Sequence, residues 1–136
     1  MEAIIPYLTF SGNASEALEF YCKALNGGVV FKQTFGESPI ESLESQKDKI
    51  IHATFKAGDL NFLVSDGMPG QPVTSGTNLT LSLNFNDLDE INKTFSSLSE
   101  GGKVTMELQD TYWSARFGML TDKYGFNWMF NHDLKK

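Results

Sequence analysis

The sequence predicts an α+β fold of two tandem βαβββ modules whose sheets form a curved mixed surface around a cavity. Three observations lead there: an internal repeat, two amphipathic helices each closed by a Gly-Gly pair, and strands in which apolar and polar residues alternate. The repeat is in register. Asn13 and Asp87 stand 74 residues apart, as do Glu16 and Glu90, and Gly27 and Gly101. Leu60-Asn61-Phe62-Leu63 matches Phe126-Asn127-Trp128-Met129 at an offset of 66, and the difference of 8 residues falls in the polar 36–49 stretch of the first module.

The elements follow in order. Residues 3–10 read as a strand, with Leu8 and Phe10 on one face and Tyr7 and Thr9 on the other. Asn13 and Glu16 have capping-box spacing, and Ala14, Ala17, Leu18, Tyr21 and Leu25 recur at helical intervals until Gly27-Gly28. Val29 to Phe35 is a β-branched and aromatic strand. Ile50 to Ala57 and Leu60 to Ser65 flank a Gly58-Asp59 hairpin turn. In Ile51-His52-Ala53-Thr54-Phe55 the apolar members suit the helix-covered face, which turns His52 and Thr54 to the other side. A Gly/Pro-rich linker, residues 67–77, divides module one, about 1–66, from module two, about 78–134, within a single domain of 1–136. Asn78 to Phe85 alternates, with Leu79, Leu81, Leu83 and Phe85 on one face. Asp87 caps a helix striped by Leu88, Ile91, Phe95 and Leu98, and Gly101-Gly102 ends it. Each sheet thus has one apolar face for its helix and one more polar face suited to lining a cleft.

Composition narrows the function classes. A chain of 136 residues, 40% hydrophobic, holds a core but has no room for a multidomain enzyme. Eleven Lys and Arg against 17 Asp and Glu leave a net charge of -6, so a nucleic-acid backbone would meet like charge. The single cysteine, Cys22, excludes an internal disulfide and a Cys-rich zinc motif, and its place on the first helix reads as small packing. No apolar run approaches a membrane span, and Met-Glu-Ala-Ile-Ile-Pro lacks the basic and apolar regions of a secretion signal, so the expectation is a cytoplasmic protein without a membrane partner.

The segments PYLTFSGNASEALEFYCKAL, KDKIIHATFKAGDLNFLVSD, LSLNFND and GGKVTMELQDTYWSARFGMLTDKYGFNWMFN resemble the vicinal-oxygen-chelate superfamily of glyoxalases, bleomycin-resistance proteins and extradiol dioxygenases. Within it they resemble the PhnB-like branch, often labelled 3-demethylubiquinone-9 3-methyltransferase-like. The resemblance spans nearly the whole chain and implies a glyoxalase-like fold, a cavity on the concave face and a homodimer. Metal-dependent members place four His, Glu or Gln ligands on the first and fourth strands of each module. Carried onto this sequence, those positions are Ile5, Leu63, Thr80 and Met129, with Pro6 one residue further along. None suits zinc, nickel or iron, and Met129 suits softer metals, so no metal and no cofactor is expected. A G-x-G-x-x-G turn is also absent, which argues against the methyltransferase label.

The candidate site residues are Tyr7, His52, Leu63, Tyr112, Trp113, Arg116 and Met129. His52 offers a base or hydrogen-bonding imidazole, or else is a structural histidine. In the segment 109–117, Ala115, Phe117 and Met119 fit the covered face, which directs Ser114, Arg116 and Gly118 into the cavity. Arg116 would anchor an anion, with Tyr112 and Trp113 as a stacking wall and Gly118 leaving room beside them. The alternative is that Trp113 packs on a partner subunit and Arg116 pairs with an acid such as Glu107. Tyr7, Asn61, Ser65 and Asn127 add polar lining, and Leu63 and Met129 an apolar floor. His132 reads as a solvated terminal residue. The leading function is metal-independent binding of an anionic or amphiphilic small molecule. A lyase, isomerase or oxygenase with an atypical metal site at His52 and a non-catalytic interaction protein stay open beside it.

Overall fold

A computed structural model of the chain describes residues 1–68 and 70–135; Pro69 of the linker and Lys136 lie outside the described residues. The chain divides into two compact units, Met1–Val73 and Thr74–Lys136. In the first, β1 (Tyr7–Thr9), α1 (Ala14–Ala24), β2 (Gly28–Thr34), β3 (Ile50–Ala57) and β4 (Leu60–Ser65) form a four-stranded sheet of order β1-β4-β3-β2. In the second, β5 (Leu81–Phe85), α2 (Leu88–Leu98), β6 (Lys103–Asp110), β7 (Ala115–Thr121) and β8 (Asn127–Asp133) repeat it as β5-β8-β7-β6. Each helix carries the chain from one sheet edge to the other. Two hairpins then walk it back, so that the last strand pairs parallel with the first.

The expected βαβββ order is therefore present twice, as two mixed sheets. The first strand of each module is shorter than the sequence suggests. β1 covers three residues, and β5 starts at Leu81, leaving Leu79 72% exposed and outside the ladder. The extra residues of module one lie between β2 and β3, where they make two 3-10 turns, Phe35–Glu37 and Glu44–Gln46. Phe35 is buried there, and the Thr34 amide and hydroxyl hold the Glu37 carboxyl below its usual pKa.

Each module packs its helix stripe on one sheet face. Leu8, Phe10, Ala17, Leu18 and Tyr21 meet Ala53, Phe55, Phe62 and Val64 in the first, with the Tyr21 ring edge-on to Phe62 at 5.5 Å. Ile91, Phe95 and Leu98 meet Leu120, Trp128 and Phe130 in the second, with Phe95 edge-on to Phe130 at 5.0 Å. Burial of apolar surface on one face of each sheet is what fixes strand register, since a one-residue slip would turn these side chains outward.

The two helix starts differ from each other. Asp87 caps α2 by accepting from the Glu90 amide at 2.8 Å, as its spacing predicts. Asn13 makes no side-chain cap. Asp66, from just beyond β4, takes that role: its Oδ1 accepts from the Gly12 and Ala14 amides at 3.0 and 2.9 Å, and its Oδ2 from Ile50 at 2.8 Å.

Beyond the helices the repeat runs at 75 residues. Asn26 and Gly101 both hold left-handed backbones, with φ of 55° and 73°. Gly27 lies against β3 and Gly102 against β7, where a Cβ would come within 2.6 Å of the Lys56 carbonyl and 2.3 Å of the Thr121 carbonyl. The expected pairing of Gly27 with Gly101 is thus corrected by one residue. Gly102 is the structural counterpart of Gly27, because the close backbone approach excludes any side chain there.

Candidate functional site

The face of each sheet away from its helix is the candidate ligand surface. In module one, Tyr7 pairs with Leu63 and Leu63 with Thr54, so these residues share the open face, and Phe31 opposite Thr54 joins them. His52 lies on the same face, flanked by Phe31 at 6.0 Å and Tyr7 at 6.4 Å between ring centroids. Tyr7 is 54% and Phe31 51% exposed, while His52 and Leu63 are half-buried. Among the described residues no carboxylate forms an ion pair with His52. The structure brings together three of the sequence candidates, Tyr7, His52 and Leu63, and adds Phe31, whose position opposite Thr54 depends on a register shift in β2. The alternation of β2 alone does not disclose such a bulge.

Asn61 lies two residues before Leu63 on the same face, and its Oδ1 is buried without a hydrogen-bond partner among the described residues. A buried acceptor of this kind is costly unless something donates to it.

In module two, the expected facing of β7 is reversed. Gly118 and Leu120 pair with Phe130 and Trp128 on the helix side, and a Cβ on Gly118 would stand 2.9 Å from the Phe95 ring. Gly118 therefore makes room for the helix and not for a ligand. Arg116, two residues away on the same face, donates through Nε to Asn92 of α2 at 2.9 Å and pairs through Nη1 with Asp110 at 3.1 Å. The acid is Asp110, not Glu107. Phe117 and Met119 instead point to the open face with Met129. The apolar pattern misleads because both faces of β7 carry apolar residues, and glycine on the packed face looks empty in sequence.

A tight turn connects β6 to β7. Ser114 takes a left-handed φ of 62°, and the Thr111 amide donates to the Ala115 carbonyl at 2.8 Å. The turn stacks Trp113 edge-on to Phe117 at 5.8 Å, with Tyr112 beyond it, 95% exposed. Trp113 and Arg116 consequently belong to different surroundings. Arg116→Ala should cost about 1 kcal/mol or less in urea unfolding, since exposed ion pairs contribute little, and should leave small-molecule affinity unchanged. A tenfold or greater affinity loss would put the guanidinium back at the ligand.

His132 is also corrected. It is 9% exposed in β8, its Nδ1 lies 2.8 Å from the Phe85 carbonyl, and it pairs across to Arg116, so it is part of the packed sheet. Cys22 lines a groove of about 520 Å3 between α1 and β2 with Leu18, Val29 and Lys32; burial, then the Glu19 charge, raise its thiol pKa.

The family's chelating positions do not fit a metal such as zinc or iron. On the open faces Leu63 and Met129 stand on the fourth strands, opposite Tyr7 and Ser82, and Ile5 and Thr80 precede those first strands. Among the described residues no three His, Cys, Asp or Glu side chains gather closely enough to hold an ion.

These features match known proteins along nearly the whole chain. Residues 2–130 match the family described as 3-demethylubiquinone-9 3-methyltransferase. Protein YjdN of Escherichia coli (strain K12) is 34% identical over 93% of this chain and 92% of its own length. The crystal structure of protein PA1353 from Pseudomonas aeruginosa superposes with a TM-score of 0.87 at 39% identity, covering 98% of each chain. A Bacillus cereus PhnB protein, described as a putative 3-demethylubiquinone-9 3-methyltransferase, does so at 0.80 and 28%, covering 96% of this chain and 99% of its own. The chain therefore belongs to the 3-demethylubiquinone-9 3-methyltransferase family, the PhnB-like branch of the glyoxalase and bleomycin-resistance superfamily, and here lacks a His, Cys, Asp or Glu chelating cluster among the described residues.

Proposed function

We propose that the protein binds an amphiphilic, aromatic small molecule through the open face of the module-one sheet, as a cytoplasmic homodimer and without breaking a bond. The observation that carries this reading is the ring cluster of module one. Tyr7 and Phe31 flank His52 on a face with no helix over it, and both rings stay about half exposed. Such rings favour a planar ligand by stacking, and the imidazole adds a polar contact. Asn61 Oδ1 offers an unmet acceptor on the same face. With Arg116 on the helix side, the reading no longer includes an anionic anchor.

Metal-dependent catalysis at His52 finds no support in its neighbours, the Tyr7 and Phe31 rings and the single amide of Gln33 opposite it on β2. Methyl transfer, named in the family description, is not part of the proposal. Usual methyltransferases bind their cofactor on a doubly wound parallel sheet, whereas each sheet here is four-stranded and mixed.

A thermal-shift screen tests the reading with planar aromatic compounds against cyclohexyl analogues of matched charge. A true ligand at a hundred times its Kd should stabilise the fold by about 2.7 kcal/mol. The shift should vanish in Phe31→Ala and persist in Arg116→Ala. Equal shifts from aromatic and cyclohexyl compounds, or an undiminished shift in Phe31→Ala, would refute it.

A further inference from the structure

The open face of module two carries a feature that ligand stacking does not require. Met106 on β6 pairs directly with Met119 on β7, and Met119 pairs directly with Met129 on β8. Three of the chain's five methionines thus form one row across three adjacent strands. Register puts all three on the side away from α2, because Gly118, Trp128 and Phe130 take the helix side. Met106 is 40% exposed, and Met119 and Met129 are half-buried, so the row is reachable.

Directly opposed residues in an antiparallel pair have Cβ atoms about 4.5–5.5 Å apart. A methionine side chain turns about three bonds, so the two outer thioethers can lean toward the central one and bring three sulfurs around one point. Thioether sulfur is neutral, soft and polarisable. It competes poorly for zinc, calcium or magnesium and well for Cu(I). The adjoining row holds Asn131 beside Phe117, so the thioethers do not continue an aliphatic floor.

We infer that Met106, Met119 and Met129 form a site for one soft monovalent cation, Cu(I), on module two. The site uses no His, Cys or carboxylate and does not depend on the binding of an organic ligand.

Silver(I) is the redox-silent probe, applied in chloride-free buffer to the full chain carrying Cys22→Ser, so that the thiol cannot compete. Native mass spectrometry should show one Ag(I) per chain. In protein labelled at the methionine methyl carbons, the signals of Met106, Met119 and Met129 should shift and those of Met1 and Met68 should not. Loss of an outer-shell partner alone costs about 10–100-fold in metal affinity, so Met119→Leu should weaken binding by at least that factor. Met106→Leu, at a more exposed position, gives the same readout if Met119→Leu does not fold. No retained silver, binding unchanged in the folded variants, or shifts confined to Met1 and Met68 would overturn the inference. The aromatic-ligand reading is judged separately, on the Phe31→Ala thermal shifts.

Discussion

Asp122→Ala is expected to cost the protein about 4 kcal/mol in stability, as one buried indole and two half-buried amides lose a shared acceptor and a buried donor without one costs about 1–3 kcal/mol. Asp122 is 3% exposed at the end of β7. Its Oδ2 accepts from the Trp128 indole at 2.8 Å, and its Oδ1 from the Tyr124 and Phe126 amides at 2.8 and 3.1 Å. This one carboxylate closes the β7–β8 turn and orients the largest fully buried side chain of the molecule. Urea unfolding followed by circular dichroism measures the loss. Asp122→Asn should lose about half as much, because one oxygen can still accept from the two amides while the new NH2 faces the indole N–H. A loss below about 1 kcal/mol for the alanine variant would mean that water replaces the carboxylate at no cost.

Gly102→Val should be comparably damaging for a steric reason. The first atom of any side chain would stand 2.3 Å from the Thr121 carbonyl oxygen and 2.9 Å from the Asp122 backbone. Backbone at the end of β7, tied into the β7–β8 turn by Asp122, cannot give way as a flexible side chain can, and overpacking typically costs about 1–3 kcal/mol. The expected outcome is a variant at least about 3 kcal/mol less stable, or one recovered mostly as aggregate. Gly101→Asn is the internal control: its φ of 73° is the conformation that Asn26 already adopts at the equivalent place in module one, so the cost should stay within about 1 kcal/mol. Equal losses at the two positions would show that the left-handed turn, and not the close approach, governs both.

The duplicated architecture was legible because it rests on local signals. Helix stripes and the Ile50–Ser65 hairpin each depend on residues close in sequence, and each appears where periodicity places it, whereas the left-handed stop of the first helix falls on Asn26 and not on Gly27. The outward facing of Tyr7 and His52 was legible for the same reason, since strand alternation there separates apolar from polar residues, while Leu63 was placed by the family resemblance alone. β7 broke that rule. Apolar Phe117 and Met119 face outward while Arg116 and Gly118 face the helix, so a reading of hydrophobicity alone inverts the strand.

The sequence by itself determined that the chain folds as two βαβββ modules of one family, that each sheet packs its own helix on one face, and that the family's metal-ligand positions hold residues unsuited to zinc or iron. Only the tertiary structure decided which side chains share those faces. Asp66 reaches across 52 residues to cap α1, Arg116 turns away to Asn92, and Met106, Met119 and Met129 fall into one row. The physical reason is common to all three. Cross-strand register and long-range hydrogen bonds are set by how whole sheets pack on helices, and a bulge or a glycine in one strand re-aims residues that its own local pattern leaves unassigned.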